Sequence, residues 1–153
     1  MAKKTDPTLR LDLKEYFRRI GKNVRDLFRD QVFVKGKDID DAPFRQYTPA
    51  YAKLKQSGKL FRAGASVSTA PIASGNLSRD FGSHFKISER SLEIGWSVHG
   101  RKIGWLRDMD RNITKKDEPF TKSIRDYILS SFKKEIKRQN PDKVRHYKIR
   151  SKK

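Results

Sequence analysis

Apolar side chains recur at threes and fours from Leu9 to Val32: Leu9, Leu13, Tyr16, Phe17, Ile20, Val24, Leu27, Phe28 and Val32. This is the spacing of one α-helical face, and it predicts a long N-terminal helix. Asp6-Pro7 ahead of it reads as an N-cap followed by proline at the first helical position. The opposite face carries Arg10, Lys14, Arg18, Lys22, Arg25 and Arg29. Gly21 interrupts the pattern at about 1 kcal/mol against alanine, so it marks a bend or a close packing contact. Gly36 supplies a stop. A second stripe, Phe120, Ile124, Tyr127, Ile128, Phe132 and Ile136, follows Asp117-Glu118-Pro119, which reads as the opening of a C-terminal helix.

Shorter elements lie between. Thr48-Pro49 repeats the cap-and-proline pair and opens a helix that stops at Gly58. Ser74 is placed to cap a piece through Asn76, Leu77, Arg79 and Phe81, ended by Gly82. Ile103, Trp105-Leu106, Met109 and Ile113 fit a helix in part. Phe85 and Ile87, then Leu92, Ile94, Trp96 and Val98, alternate with polar residues. Period two predicts a hairpin over about 83–98, turning at Glu89-Arg90, with one face buried and one wet. The turn has neither glycine nor asparagine, which leaves its type open. The expected fold is therefore α+β: a small antiparallel β-sheet packed against a long N-terminal helix and a C-terminal helix. Residues 1–139 read as one domain, with a flexible loop over about 58–75 that is rich in Gly, Ser, Ala and Thr. Residues 140–153 read as a basic tail.

Charge changes this picture more than size does. The chain has 153 residues with 37 Lys or Arg against 18 Asp or Glu, a net of +19. Such a field argues for an anionic partner and says little about fold. There is no cysteine, which excludes disulfides and thiolate metal sites. No apolar run reaches the roughly 18 residues of a membrane helix, and MAKKTDPTLR lacks the apolar core of a secretory signal. No membrane partner is expected. After Asp142 the tail holds Lys143, Arg145, Lys148, Arg150, Lys152 and Lys153 and no acid. Such a block is often an interaction arm.

Catalytic patterns are weak. Asp38, Asp40 and Asp41 lack the further ligands, central glycine and closing glutamate of a calcium loop, and read as a solvated loop or as ion-pair partners of neighbouring subunits. His84, His99 and His146 have no helical ligand spacing for zinc. Ser74 lacks the Gly-x-Ser-x-Gly elbow, and GASVSTAPIASG lacks the spacing of a phosphate-binding loop. Asp108 and Asp110 are the one carboxylate pair a metal-dependent nuclease would use, but the flanking Arg107 and Arg111 read more as ion-pair partners for them. No enzyme activity, metal or cofactor is expected. Basic residues around Phe61, Trp96, Trp105 and Tyr147 support sequence-blind phosphate binding, so a free nucleic-acid-binding protein is the alternative. A small nuclease ranks below it.

The stretch IASGNLSRDF, with the hairpin ending in EIGW, resembles the L-(T/S)-G-x-L-x-x-(S/D) signature and following hairpin of the virion-morphogenesis proteins of tailed bacteriophages. These are tail-completion and neck components. YTPAYAKLK, Tyr47 to Lys55, is similar to that family's Y-(S/T)-x-x-Y-A-x-x-K segment. The likeness runs from about Phe44 to Ile136 in element order and spacing. It departs after the hairpin, where KIGWLRDMDRN stands in place of Y-A-x-x-H/Q-x-x-G, so the choice between tail terminator, head closure and another neck role stays open. The resemblance implies a structural virion protein, made in the host cytoplasm, whose copies form a ring at the head–tail joint. Its partners would be further copies, neighbouring head–tail proteins, and DNA passing non-specifically through a channel. The candidate subunit-interface residues are Tyr47, Tyr51, Leu77, Trp96 and Trp105. The candidate DNA contacts are the six basic residues of the tail.

Overall fold

The computed structural model describes residues 11–57, 75–115 and 117–141. The apolar stripe folds as α1 (Leu13–Arg29), which continues into a π-helical turn over Asp30–Val34. The helix starts later than Asp6-Pro7 suggests. Those two residues lie outside the described residues, but Leu11 and Asp12 are already non-helical. The Asp12 carboxylate accepts the Glu15 N–H at 2.9 Å and is the cap. In the π turn, Lys35 N–H donates to Asp30 C=O at 2.8 Å. The wider turn brings three consecutive side chains, Gln31, Val32 and Phe33, inward. Gly36, at φ +64°, then reverses the chain.

Next come α2 (Pro49–Gln56), capped by Thr48, and α3 (Asn76–Asp80). Gly75 at φ +75° takes the N-cap position of α3, while Ser74 lies outside the described residues. The loop expected over 58–75 is outside them up to residue 74, as is the tail from 142 onward. Strands β1 (His84–Ile87) and β2 (Leu92–Gly95) pair antiparallel, with Phe85 opposite Ile94 and Ile87 opposite Leu92. Ser88 closes the turn in place of a glycine or asparagine. Its hydroxyl oxygen accepts the N–H groups of Arg90 at 3.2 Å and Ser91 at 2.9 Å. α4 (Lys102–Asp108) and α5 (Lys122–Gln139) complete the fold. α5 opens at Thr121, whose hydroxyl faces the Ile124 N–H, rather than at Asp117-Glu118-Pro119.

This is an α+β fold in which the hairpin and α5 both pack on α1. Tyr16, Ile20, Val24 and Phe28 form the buried ridge of α1. Phe28 is its centre: Phe81 stacks on it at 4.3 Å between centroids, and Trp96, Phe33 and Phe120 meet it edge-on. Gly21 is the close packing contact. A Cβ there would lie 2.8 Å from the Phe85 ring and 3.3 Å from Leu92, so the hairpin rests directly on the α1 backbone. α5 runs antiparallel to α1. Tyr16 Oη donates to Ile128 C=O at 2.8 Å, Asn23 donates to Tyr127 Oη at 3.0 Å, and Asp12 N–H donates to Gln139 at 2.6 Å. Burial raises the Tyr16 hydroxyl to about 12, which keeps that donor protonated.

The acidic loop is spent on the fold itself. Asp38 Oδ1 accepts the N–H groups of Asp40 and Ala42, both at 2.9 Å. Asp40 pairs with Lys115 at 2.8 Å. Asp41, at φ +63°, accepts Gln31 Nε2 at 2.7 Å on one oxygen and Ser123 N–H and Oγ at 3.0 and 2.9 Å on the other. Asp41 thereby ties the start of the π turn to the start of α5, Asp40 ties the loop to Lys115, and Asp38 closes the loop on itself. Each is engaged inside the chain rather than left to a neighbouring subunit.

Candidate subunit interface

The five interface candidates separate into three settings. Leu77 and Trp96 belong to the interior. Leu77 is buried, its C=O accepts Trp96 Nε1–H at 2.9 Å, and the Trp96 ring packs against Phe81 at 4.8 Å. With the indole N–H satisfied and the ring half-buried, Trp96 anchors the hairpin to α3. The buried Leu77 side chain has no surface to offer a neighbour. That corrects its place among the interface residues.

Tyr47 and Tyr51 form a tilted pair with centroids 4.9 Å apart. Tyr47 is also a platform for two cations. The Arg111 guanidinium stands 4.0 Å over its ring and Lys55 Nζ 4.6 Å over it. Arg111 Nη2 donates to Arg45 C=O at 2.8 Å. Both cations are buried. Burial, and then the Arg111 charge, lowers the Lys55 pKa; burial raises that of Tyr47. This cluster fastens α2 to the segment after α4, so Tyr47 is chiefly a packing residue. Tyr51 lies at its exposed edge.

Trp105 is different. It is 64% exposed, and Val98 at 68% and Met109 at 58% stand with it as exposed large hydrophobics. A cleft lined by Val98, His99, Arg101, Lys102 and Trp105 runs alongside. The helical register explains the exposure. Ile103 and Leu106 turn inward, which leaves Trp105, and Met109 four residues on, pointing outward. Val98 and Trp105 share this exposed cleft, and tryptophan is a favoured anchor where such surfaces meet a partner.

The patch is held on a fixed seat. Asp80, the last residue of α3, accepts the N–H groups of Val98 at 3.0 Å and His99 at 2.7 Å on Oδ2, and the Ser83 hydroxyl at 2.7 Å on Oδ1. Ser83 Oγ in turn accepts the Ser97 N–H at 3.0 Å. The His99 backbone donor, foremost among these, holds the Asp80 carboxyl down at about 2. Asp80 is thus the positioning residue of the turn that presents Val98 and leads into α4. Sequence reading passed over it; the available signal was a carboxylate closing a short helix just before Gly82, at φ +85°.

The remaining candidates are placed as follows. Asp108 and Asp110 are both exposed, with Asp110 at φ +58°. Among the described residues no three His, Cys, Asp or Glu side chains gather into a metal-ion group, and no helix is long and apolar enough to cross a membrane. Lys143, Arg145, Lys148, Arg150, Lys152 and Lys153 lie outside the described residues. Comparison with protein-family models, with curated proteins and with solved structures gave no match in any of the three.

Proposed function

We propose that the chain is a non-enzymatic structural protein of a tailed-phage neck or tail-completion ring, and that copies associate by burying the Val98–Trp105–Met109 face. That exposed face, held at its Val98 end by Asp80, is the observation that carries the reading. A cyclic assembly uses a head-to-tail interface that closes. One apolar face on each copy, docking on a different surface of the next, suffices to build it. The resemblance of IASGNLSRDF and YTPAYAKLK to the virion-morphogenesis proteins supplies the ring and its place at the head–tail joint. The net charge of +19 suits a wall beside packaged DNA.

The test is the mass of the full-length protein in solution, by light scattering after size exclusion at moderate and high salt. Wild type is expected as a ring-sized oligomer. Trp105→Ser removes an interface anchor worth about 2 kcal/mol or more, and is expected to shift the population to monomer with its melting temperature unchanged. Equal masses for wild type and variant would sink the assignment of this face.

A further inference from the structure

One flank of α1 carries a row of five cations, of which only Arg25 forms an ion pair among the described residues. Lys14, Arg18, Lys22, Arg25 and Arg29 follow one another by four, four, three and four residues. At 3.6 residues per turn they fall within an arc of about 80°, and at 1.5 Å per residue they extend over about 22 Å. Among the described residues, Lys14, Arg18, Lys22 and Arg29 form no ion pair, and Arg25 pairs with its neighbour Asp26 at 3.0 Å. Of the nearby acids, Glu15 pairs with Arg19 and Arg138, Asp30 with Lys35 and Asp26 with Arg25, while Glu89 lines a cleft beside Lys14 without an ion pair to it. Within the folded chain the arrangement is unfavourable. Lys14–Arg18, Arg18–Lys22 and Arg25–Arg29 are like-charge pairs at i,i+4, and Lys14 sits in the first turn, at the positive end of the helix dipole.

We propose that this row is a contact surface for the phosphate backbone of duplex DNA, bound without regard to sequence. A straight row about 22 Å long runs beside roughly six phosphates of one strand at 3.4 Å each. Lysine and arginine contacts to phosphate position a protein on DNA without reading bases. An anionic membrane fits worse. A helix lying in a lipid interface inserts its apolar face, and the apolar ridge of α1 is buried in the core with no exposed large hydrophobic on the helix. An acidic protein fits worse for the same reason, since α1 offers no apolar anchor. The inference rests on the functional reading for its choice of duplex DNA, but it requires no ring. It moves the first DNA contact from the tail to α1.

The test is fluorescence anisotropy of a labelled 20-base-pair duplex of mixed sequence with the full-length protein, titrated at several salt concentrations from 50 to 200 mM. One variant changes Lys14, Arg18, Lys22 and Arg29 to Gln. A control with equal charge loss changes Lys122, Lys133, Lys134 and Lys137 to Gln on the outer side of α5. Removing four phosphate contacts is expected to take about 3.6 from the slope of log affinity against log salt, a difference of about 150-fold across that range. The control is expected to lose less than one unit. The milder pair Arg18→Gln with Lys22→Gln, which perturbs the fold least, is expected to lose about 1.8. Equal slopes for the α1 variants and the control would overturn the proposal. So would wild type that fails to bind duplex at 50 mM, or that binds phosphatidylserine vesicles or polyglutamate through α1 with DNA affinity unaffected. Light scattering on the same samples reads ring assembly separately, so failure of the ring and failure of the DNA surface are distinguishable.

Discussion

Arg18 and Arg19 are adjacent in the chain and stand on different flanks of α1. Arg19 faces α5, with Glu135 at 3.4 Å and Glu15 at 3.7 Å. Glu135 is buried, receives Arg138 Nη2 at 2.6 Å and Gln139 Nε2 at 2.8 Å, and is held down at about 2, chiefly by the Arg138 hydrogen bonds. Arg138 reaches on to Glu15 at 2.8 Å. Arg18 meets no acid among the described residues, and neither do Lys14, Lys22 or Arg29. The same residue types thus do two jobs on one helix. On the α5 flank cations are part of the packing, because a buried carboxylate there has to be compensated. On the other flank Lys14, Arg18, Lys22 and Arg29 form no ion pair among the described residues, as the proposed phosphate contact requires.

The largest effect on stability is expected at Glu135. Glu135→Gln leaves the half-exposed Arg138 and Arg19 with Glu15 as their one remaining carboxylate and is expected to cost about 1.5 kcal/mol through weakened hydrogen bonds, measured by urea unfolding. A loss under about 0.5 kcal/mol would make the α5 flank as dispensable as the other. The pH profile sharpens the point. The Glu135 pKa is lowered from 4.5 to about 2 on folding, so its contribution is complete above about pH 4.5 and is lost as pH falls toward 2. Melting temperature against pH is expected to fall in that window for wild type and to be flatter for Glu135→Gln. Gly21→Ala, between the two flanks, presses a methyl group into the Phe85 ring. Overpacking of about 2 kcal/mol is offset by about 1 kcal/mol of helix propensity, leaving a net loss near 1 kcal/mol by the same assay. The smallest effect is expected from Arg18→Gln and Lys22→Gln. Each should stay within about 0.5 kcal/mol of wild type, on the stabilising side at low salt because i,i+4 repulsion is relieved.

The elements whose side chains repeat locally were legible in the sequence. The α1 and α5 stripes, the Thr48 cap and the hairpin turning at Glu89-Arg90 all follow from period and cap chemistry. Two cap patterns compete at each long helix. α1 is capped at Asp12, with Glu15 three residues later, rather than at Asp6-Pro7, and α5 is capped at Thr121 rather than at Asp117-Glu118-Pro119. The partners of the acidic loop, Gln31, Lys115 and Ser123, are distant in sequence, so no local pattern announces them. The two tryptophans show the limit for the site. Both sit among basic residues, but Trp96 continues the buried face of a strand while Trp105 lies between two inward-facing helical positions. Only the fold tells them apart. The stacking of Lys55 and Arg111 on Tyr47 is a contact between segments, for which no local pattern exists.

The division of α1 into a folding flank and a binding flank is tested most directly by melting the full-length protein with and without excess duplex DNA. A ligand that binds only the native state raises its melting temperature. Wild type is expected to gain on adding DNA. The Arg18→Gln, Lys22→Gln variant should melt like wild type alone and lose most of that gain. Glu135→Gln should melt lower alone and keep the gain in full. A stripe variant that retains the whole DNA-induced shift would contradict the account.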